Sequence, residues 1–388
     1  MAIDICKVST PAEREAFFRF PWQHYKDSPY WVPELPAIRR ETLSREHNPA
    51  WEYLEGDYFL ARRGGQTVGT IAAFINHRHN EVHNEKMGFF GFFESIDDQA
   101  VAAALLNTAM EYVRGLGATA LRGPANFTVN EQYGLLVEGF DQYPIVLMPY
   151  NPPYYMTLLE NAGFEKAMDL YSWRHDNDTV FSKLYEEDGV TEQRTIKLIR
   201  RNNQRRKITV RTFDMRNKQR DFHILRELYD KGWEANWGHV PMTDRELDAL
   251  VEGLGFLLLP RYTLFGEIDG EPAGFILIIP DFNQVLRHVR PHPGRPTWWW
   301  YLQAAWHWKI RPKITGSRAI LFGVKREYHG LGVDPAMFLY LAEQLVQDGR
   351  FDWLDASWIL ENNHPTNDLA VRFGAYIHRR HRIYQKTL

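Results

Sequence analysis

The chain has 388 residues, 44% of them apolar and 24% charged, with a net charge of −3, which excludes a disordered, collagen-like or coiled-coil protein. The near-neutral balance argues against holding nucleic acid by counterion release, so no nucleic-acid partner is expected. The one cysteine, Cys6, excludes a disulfide framework and a cysteine-based zinc site within the chain, and no metal site is expected.

At roughly 100–200 residues per domain, this length favours two domains, placed at 1–190 and 191–388. The N-terminal residues Met1 to Lys7 carry no signal-peptide pattern. No run reaches the roughly 18–20 apolar residues of a bilayer span. A cytoplasmic protein is expected, touching a membrane at most peripherally.

Along the chain, two segments read alike. Tyr58 to Gly69 leads into Thr70–Ile75, and Tyr262 to Gly274 leads into Phe275–Ile279. Each is a β-rich run, a glycine turn and a second β-rich run, the grammar of a hairpin. Each half also closes alike, with Leu158 to Phe164 before Asp169–Trp173, and Leu369 to Ala375 before Arg382–Lys386. An offset of roughly 200 residues is too long for a solenoid and points to two copies of one domain. Between the copies, Arg194 to Arg211 is basic and reads as a solvated helix and strand edge, or as a local anion site.

In the second half the pattern predicts a strand at 208–213, helices at 221–236 and 244–254, and strands at 262–268 and 272–280. A long excursion, 281–315, precedes a strand at 319–324 and a helix at 335–349. A strand at 353–359, a helix at 367–373 and a strand at 376–386 end the chain. The class is mixed α/β. Within the excursion, Thr297 to Trp308 holds five tryptophans. It reads as a helix packed on the sheet, as a wall for a long acyl chain, or as an interfacial patch beside Lys309, Arg311 and Lys313.

The segment that carries chemistry is Leu321 to Met337, where a strand enters a glycine loop that opens a helix. Gly330 and Gly332 let backbone N–H groups approach an anion, and the helix start adds positive potential. Asp334 suits the N-cap and Pro335 the first helical position.

His329-Gly-Leu-Gly-Val-Asp334 resembles the Q/R-x-x-G-x-G/A loop of the GNAT superfamily, the acyl-CoA N-acyltransferases. Asn363 to Ala375 resembles that family's closing helix, and Asn151 to Phe164 is similar to the same helix in the first half. Over most of its length the chain resembles bacterial tandem-GNAT proteins. The resemblance implies two GNAT-like α/β domains, each a mixed twisted sheet flanked by helices, the first of them degenerate. It implies acetyl-CoA or a longer acyl-CoA as co-substrate and transfer of the acyl group to an amine of a small-molecule or lipid-like acceptor. The backbone of Phe322, Gly323 and Val324 would dock the pantetheine. Arg326, His329, Gly330, Leu331, Gly332 and Val333 would hold the phosphates. Glu361 and His329 are the candidate proton carriers. Asp281, Asn283, Trp298 and Asn363 are the candidate acceptor-binding residues. The sequence departs from the family pattern at His329, at Asp334 and at Ala370, which replaces a tyrosine that often serves as general acid. The first half's equivalent loop, Glu94 to Gln99, has no glycine and three carboxylates, so that half is expected to bind no CoA. Two other readings stay open: a non-catalytic binding protein of the same fold, and an aminoacyl-tRNA-dependent transferase.

Overall fold

The computed structural model describes residues 2–388 apart from 130, 234–235 and 311–313, and the backbone alone at 230, 251 and 254. Asn130, Arg311 and Lys313 lie outside the described residues. The chain divides into two compact units. The first is Met1–Leu170, Asn283–Lys313 and Arg379–Leu388; the second is Tyr171–Phe282 and Ile314–His378.

The first unit opens with β1 (Ile3–Lys7), α1 (Pro11–His24) and α2 (Pro36–Leu43). The hairpin β2 (Leu54–Arg63) and β3 (Gln66–Asn76) follows, then α3 (His77–His83), β4 (Met87–Ser95) and α4 (Gln99–Gly115). After β5 (Ala120–Gly123), β6 (Leu135–Glu138) and α5 (Tyr154–Asn161), strand β7 (Glu165–Asp176) enters the second unit at Tyr171. That unit continues with α6 (Asn177–Leu184), α7 (Arg194–Arg206), β8 (Ile208–Thr212), α8 (Lys218–Trp233), α9 (Asp244–Leu254), β9 (Leu264–Ile268) and β10 (Glu271–Pro280). Helices α10 (Asn283–Val289) and α11 (Thr297–Ala305) belong to the first unit. The rest is β11 (Gly316–Val324), α12 (Val333–Asp348), β12 (Trp353–Leu360), α13 (His364–Arg372) and β13 (Tyr376–Thr387), which joins the first unit at Arg379. Strand order is β1-β2-β3-β4-β5-β13 in the first unit, with β6 also on β13, and β12-β11-β10-β9-β8 in the second.

Local chemistry explains the matching hairpins. The β2–β3 turn places Gly64 and Gly65 at φ 58° and 81°, and the β9–β10 turn places Asp269 and Gly270 at 51° and 88°. Two successive residues at positive φ give the twist that a tight hairpin needs. Each half of the chain later closes with a short helix and a strand, α5 then β7 and α13 then β13. In the first unit, α4 presents Val101, Leu105, Ala109 and Val113 at helical spacing, and all four are buried with Ile71, Ala73 and Ile75 of β3. Gly88 lets α4 close in, because a Cβ there would stand 2.6 Å from Val113. In the second unit, α8 buries Leu225, Leu228 and Tyr229 with Phe265, Phe275 and Leu277 of the hairpin. Helix α8 starts three residues before the predicted position, and α9 begins as expected at a capping box between Thr243 and Glu246.

The units are not cut at 190/191. Residues 171–190 go with the second unit, and 283–313 and 379–388 go with the first. Tertiary bonds decide this. Tyr384 to Thr387 of β13 pair with β5, and Arg380 to Arg382 pair with β6. The excursion is tied to the first unit by the Trp22 indole N–H donating to Pro291 O at 2.7 Å and by Asn283 Nδ2 donating to Pro144 O at 2.9 Å. No described helix is long and apolar enough to cross a membrane.

Candidate active site

In the second unit, β11 pairs on one edge with β10 and on the other with β12. The parallel pairing with β12 runs from Gly316↔Trp353 to Ala319↔Ala356 and no further among the described residues. Opposite, Leu277 pairs with Leu321 but Ile278 with Ala319, so Ile320 is an extra residue, a β-bulge. The bulge falls where β11 and β12 part, and the strands continue to Val324 and Leu360 unpaired with each other. Main-chain groups on the facing edges there must find partners other than each other. Helix α8 supplies one: Trp233 Nε1–H donates to Phe322 O at 2.7 Å. The fit at Gly323 is tight, since a Cβ would stand 3.0 Å from Phe275 Cε1 and 3.2 Å from Trp233 Nε1. Trp233, Tyr229 and His239 pack ring against ring beside it.

Past Val324 the chain turns sharply. Lys325 N–H donates to Ala273 O at 2.8 Å, and its ammonium pairs with Glu227 at 3.0 Å. Arg326 to Tyr328 form one 3₁₀ turn with Arg326 exposed. His329 Nε2 lies 2.9 Å from Val324 O. A carbonyl only accepts, so Nε2 carries the proton and Nδ1 is the basic nitrogen. Gly330 sits at φ 72° with open space around its Cα. Asn202 Nδ2 donates to Leu331 O at 2.9 Å. Gly332, at φ 100°, is the N-cap of α12, with no side chain capping the helix.

Asp334 is therefore not the N-cap. The helix starts at Val333, which places Asp334 and Pro335 inside the first turn. Only glycine takes the left-handed cap position without strain, and this moves the start two residues forward. Burial pushes the Asp334 carboxyl above its usual value, against its own N–H, His329 and Arg372.

The equivalent places in the first unit are filled from within. Asp98 caps α4, accepting from Ala100 N–H at 2.9 Å and Val101 N–H at 3.3 Å, and pairs with Arg63 at 2.8 Å. Where β4 passes β5, Phe92 N–H donates to Asn126 Oδ1 at 2.9 Å, and a Cβ on Gly91 would meet Ala125 O at 1.8 Å. Asn126 thus satisfies backbone.

The remaining sequence-derived residues scatter. Asp281 lies just past β10, buried, its N–H donating to Gly316 O. Glu361 is half-buried just past β12. Asn363 caps α13, its Oδ1 accepting from Thr366 N–H. Asn283 and Trp298 belong to the first unit, and there Trp298 is exposed. Of the basic stretch, Arg200 pairs with Glu192 and Glu343, Lys207 with Asp269, and Arg211 with Asp221 and Glu267.

A buried polar group escaped the sequence reading. Asp355 and Arg318 are register partners on β12 and β11. Asp355 Oδ2 meets His378 Nε2 at 2.6 Å, and its Oδ1 accepts from the Ser357 hydroxyl. Arg318 Nη2 donates to Ser357 O at 3.1 Å. Burial pushes Asp355 up, but His378, Ser357 and Arg318 outweigh it and hold the carboxyl below its usual value. Burial pulls Arg318 down to about 10 despite Asp355 and Asp281. The cluster locks β12 where it leaves β11. Its one sequence signal is an aspartate inside the apolar run Trp353 to Leu360.

No family model matches the chain. Protein YghO of Escherichia coli (strain K12) is 32% identical over 380 residues, 96% of this chain and 93% of that protein. The bacterial ceramide synthase of Caulobacter vibrioides is 28% identical over 390 residues, 100% of this chain and 98% of that protein. Among solved structures, a tandem GNAT protein from the clavulanic acid biosynthesis pathway matches with a TM-score of 0.55 at 13% identity, over 100% of this chain and 98% of that one. A GCN5-related N-acetyltransferase from Anabaena variabilis gives 0.52 at 10%, over 100% and 73%. With 32% identity across nearly its whole length, the chain belongs to the same family as protein YghO, and it has the mixed α/β fold of a tandem GNAT protein.

Proposed function

We propose that the second unit is an acyl-CoA-dependent N-acyltransferase and that the first is its structural partner. The observation that carries this is the uncapped start of α12, built from Gly330 and Gly332 at positive φ, against the carboxylate-capped start of α4. First-turn N–H groups without a side-chain cap suit an anion. These residues fit a CoA pyrophosphate, with Arg326 as an exposed cation beside them; Asp334 is the discordant group. Phe322, Gly323 and Val324 would face the pantetheine, although Trp233 already uses the Phe322 carbonyl.

In the reaction the acceptor's neutral amine attacks the thioester carbonyl, the C–N bond forms, the C–S bond breaks to release the CoA thiolate, and the proton lost by the amine passes through a base to that thiolate. We assign the proton to Glu361, and give His329 the task of holding the loop through its Nε2–H to Val324 O. Tyr229, Trp233 and His239 offer an apolar wall for the acyl chain. A long-chain, lipid-like amine is the acceptor we favour, on the name of the Caulobacter relative, since a ceramide is an N-acylated long-chain amino alcohol. Acyl-CoA is available in the cytoplasm, where we place the protein.

The purified chain is incubated with acyl-CoAs of graded length and a long-chain amino alcohol, and amide is followed by mass spectrometry together with free thiol. Amide and thiol in equal amounts are expected. Thermal shifts with CoA and with tRNA run alongside, because a ligand that binds the native state raises the melting point. No shift with any CoA species overturns the reading in favour of a non-catalytic binder, the role Asp334 suits. A salt-sensitive shift with tRNA alone favours an aminoacyl-tRNA-dependent transferase.

A further inference from the structure

Of the three readings of the segment from Thr297 to Trp308, packing as a core helix holds for one face. Trp300 and Ala304, one helical turn apart, are buried, and His307 stacks on His288 with ring centres 5.2 Å apart. The opposite stripe, Trp298, Tyr301, Leu302, Trp306 and Lys309, follows helical spacing but faces water. Trp298 and Leu302 are each 60% exposed and Trp306 49%. A helix face of this composition is ordinarily turned inward. The loop that leads into α11 is meanwhile fastened to α1 through the Trp22 N–H to Pro291 O. The exposed stripe is thus held in place.

Charge selects what covers it. From Phe282 to Arg326 the sequence holds no aspartate or glutamate, in a chain that is acidic overall. Arg295 and Lys309 flank the stripe, both exposed, and Lys309 Nζ lies 4.2 Å from the centre of the Trp308 ring. A second copy of the chain would bring like charges together, since a two-fold interface sets a patch against itself. Phosphate headgroups would instead neutralise the cations. Tryptophan and tyrosine settle at the level of those headgroups, with leucine below them. The helix is far too short to span a bilayer, so it would lie in the interface plane.

We propose that α11 and the turn after it form a docking surface for an anionic lipid bilayer. The inference is independent of the acyl-transfer reading and is tested by binding alone. The purified full-length chain is co-sedimented with vesicles of phosphatidylcholine, and with vesicles of equal parts phosphatidylcholine and phosphatidylglycerol. Pelleting is expected with the mixed vesicles and is expected to fade as salt rises. Replacing both Trp298 and Trp306 by serine should lower the partition coefficient by about tenfold or more. Reversing charge with Arg295→Glu and Lys309→Glu should remove the preference for phosphatidylglycerol. The unaltered protein gives a second readout that needs no variant: brominated phosphatidylcholine in the mixed vesicles should quench its tryptophan emission. Equal pelleting with and without phosphatidylglycerol, or no quenching, overturns the proposal. So does a dimer in lipid-free solution that the serine variant converts to monomer, which would assign the stripe to a second copy.

Discussion

His329 Nε2 stands 2.9 Å from the carbonyl oxygen of Val324, so a side chain in the glycine loop is hydrogen-bonded to the end of the strand that feeds it. This bond, with Asn202 Nδ2 on Leu331 O, sets where the amides of Gly330 to Val333 point. His329→Ala should leave the fold intact, since the residue is exposed. It should weaken CoA binding by about fivefold, the worth of one hydrogen bond near 1 kcal/mol. Titration calorimetry with CoA measures this. Unchanged affinity would separate the loop's geometry from His329.

Asp334 sits in the first turn of α12, where a negative charge and an incoming phosphate repel. Burial raises its pKa above the usual carboxylate value. As pH falls through its titration the carboxyl becomes neutral, so CoA binding should strengthen toward acid. Asp334→Asn should bind CoA about three- to tenfold more tightly at pH 8 and lose that pH dependence, on the scale of one partly screened charge pair. Affinity measured across pH for both proteins decides this, and weaker binding by the asparagine variant would mean that Asp334 helps hold the ligand.

The two helix starts make a paired prediction. A Cβ at Gly332 would stand 2.4 Å from Asn202 Nδ2, at φ 100°. Gly332→Ala should cost about 1–3 kcal/mol in backbone strain and weaken CoA binding with it. Asp98→Ala removes the cap of α4, which should cost about 1 kcal/mol of stability. It should leave CoA affinity untouched. A fall in CoA affinity in Asp98→Ala that matched Gly332→Ala would move the phosphate site out of the second unit.

Local pattern made much of this fold legible. The β-rich runs of both hairpins and their glycine turns are short-range signals, and those elements stand where their residues predict. The origin of α12 was missed by two residues because Asp334 is a good cap by type, while the deciding fact is the backbone of Gly332. Unit membership was illegible for another reason. Tyr384 opposite Gly123, and Trp22 on Pro291, join residues hundreds of positions apart, and nothing in either local sequence announces the partner. The Asp355–His378–Ser357 group spans only 23 residues, but its members face one another only once β12 and β13 are placed. Removing one partner of such a buried pair leaves the other charge uncompensated, so Asp355→Ala should cost about 3–5 kcal/mol in urea unfolding.

The first unit also holds a buried acid, and its stability should carry that mark. Glu94 Oε2 accepts from Tyr25 at 2.6 Å and from Tyr155 at 2.7 Å, and the Tyr155 oxygen lies 3.0 Å from His24 Nε2. Arg39 of α2 and Glu34 also face this carboxyl, with opposite effects. Burial dominates and pushes Glu94 from 4.5 up to about 7. Between those values the folded chain keeps a proton that the unfolded chain has lost. The stability from this group is complete below 4.5 and is lost as pH rises through 7. His24 has the reverse sign. Burial lowers it from 6.5 to about 4, so its contribution is present above 6.5 and is lost as pH falls toward 4. The two oppose each other where their windows overlap. Glu94→Gln removes one side of that balance. The variant should be more stable than the parent at pH 8, by up to about 3 kcal/mol, and its stability should fall more steeply on acidification. Urea midpoints at a series of pH values measure both slopes. Parallel slopes, or a variant weaker at pH 8, would mean that the carboxylate form of Glu94 is the one its tyrosines stabilise.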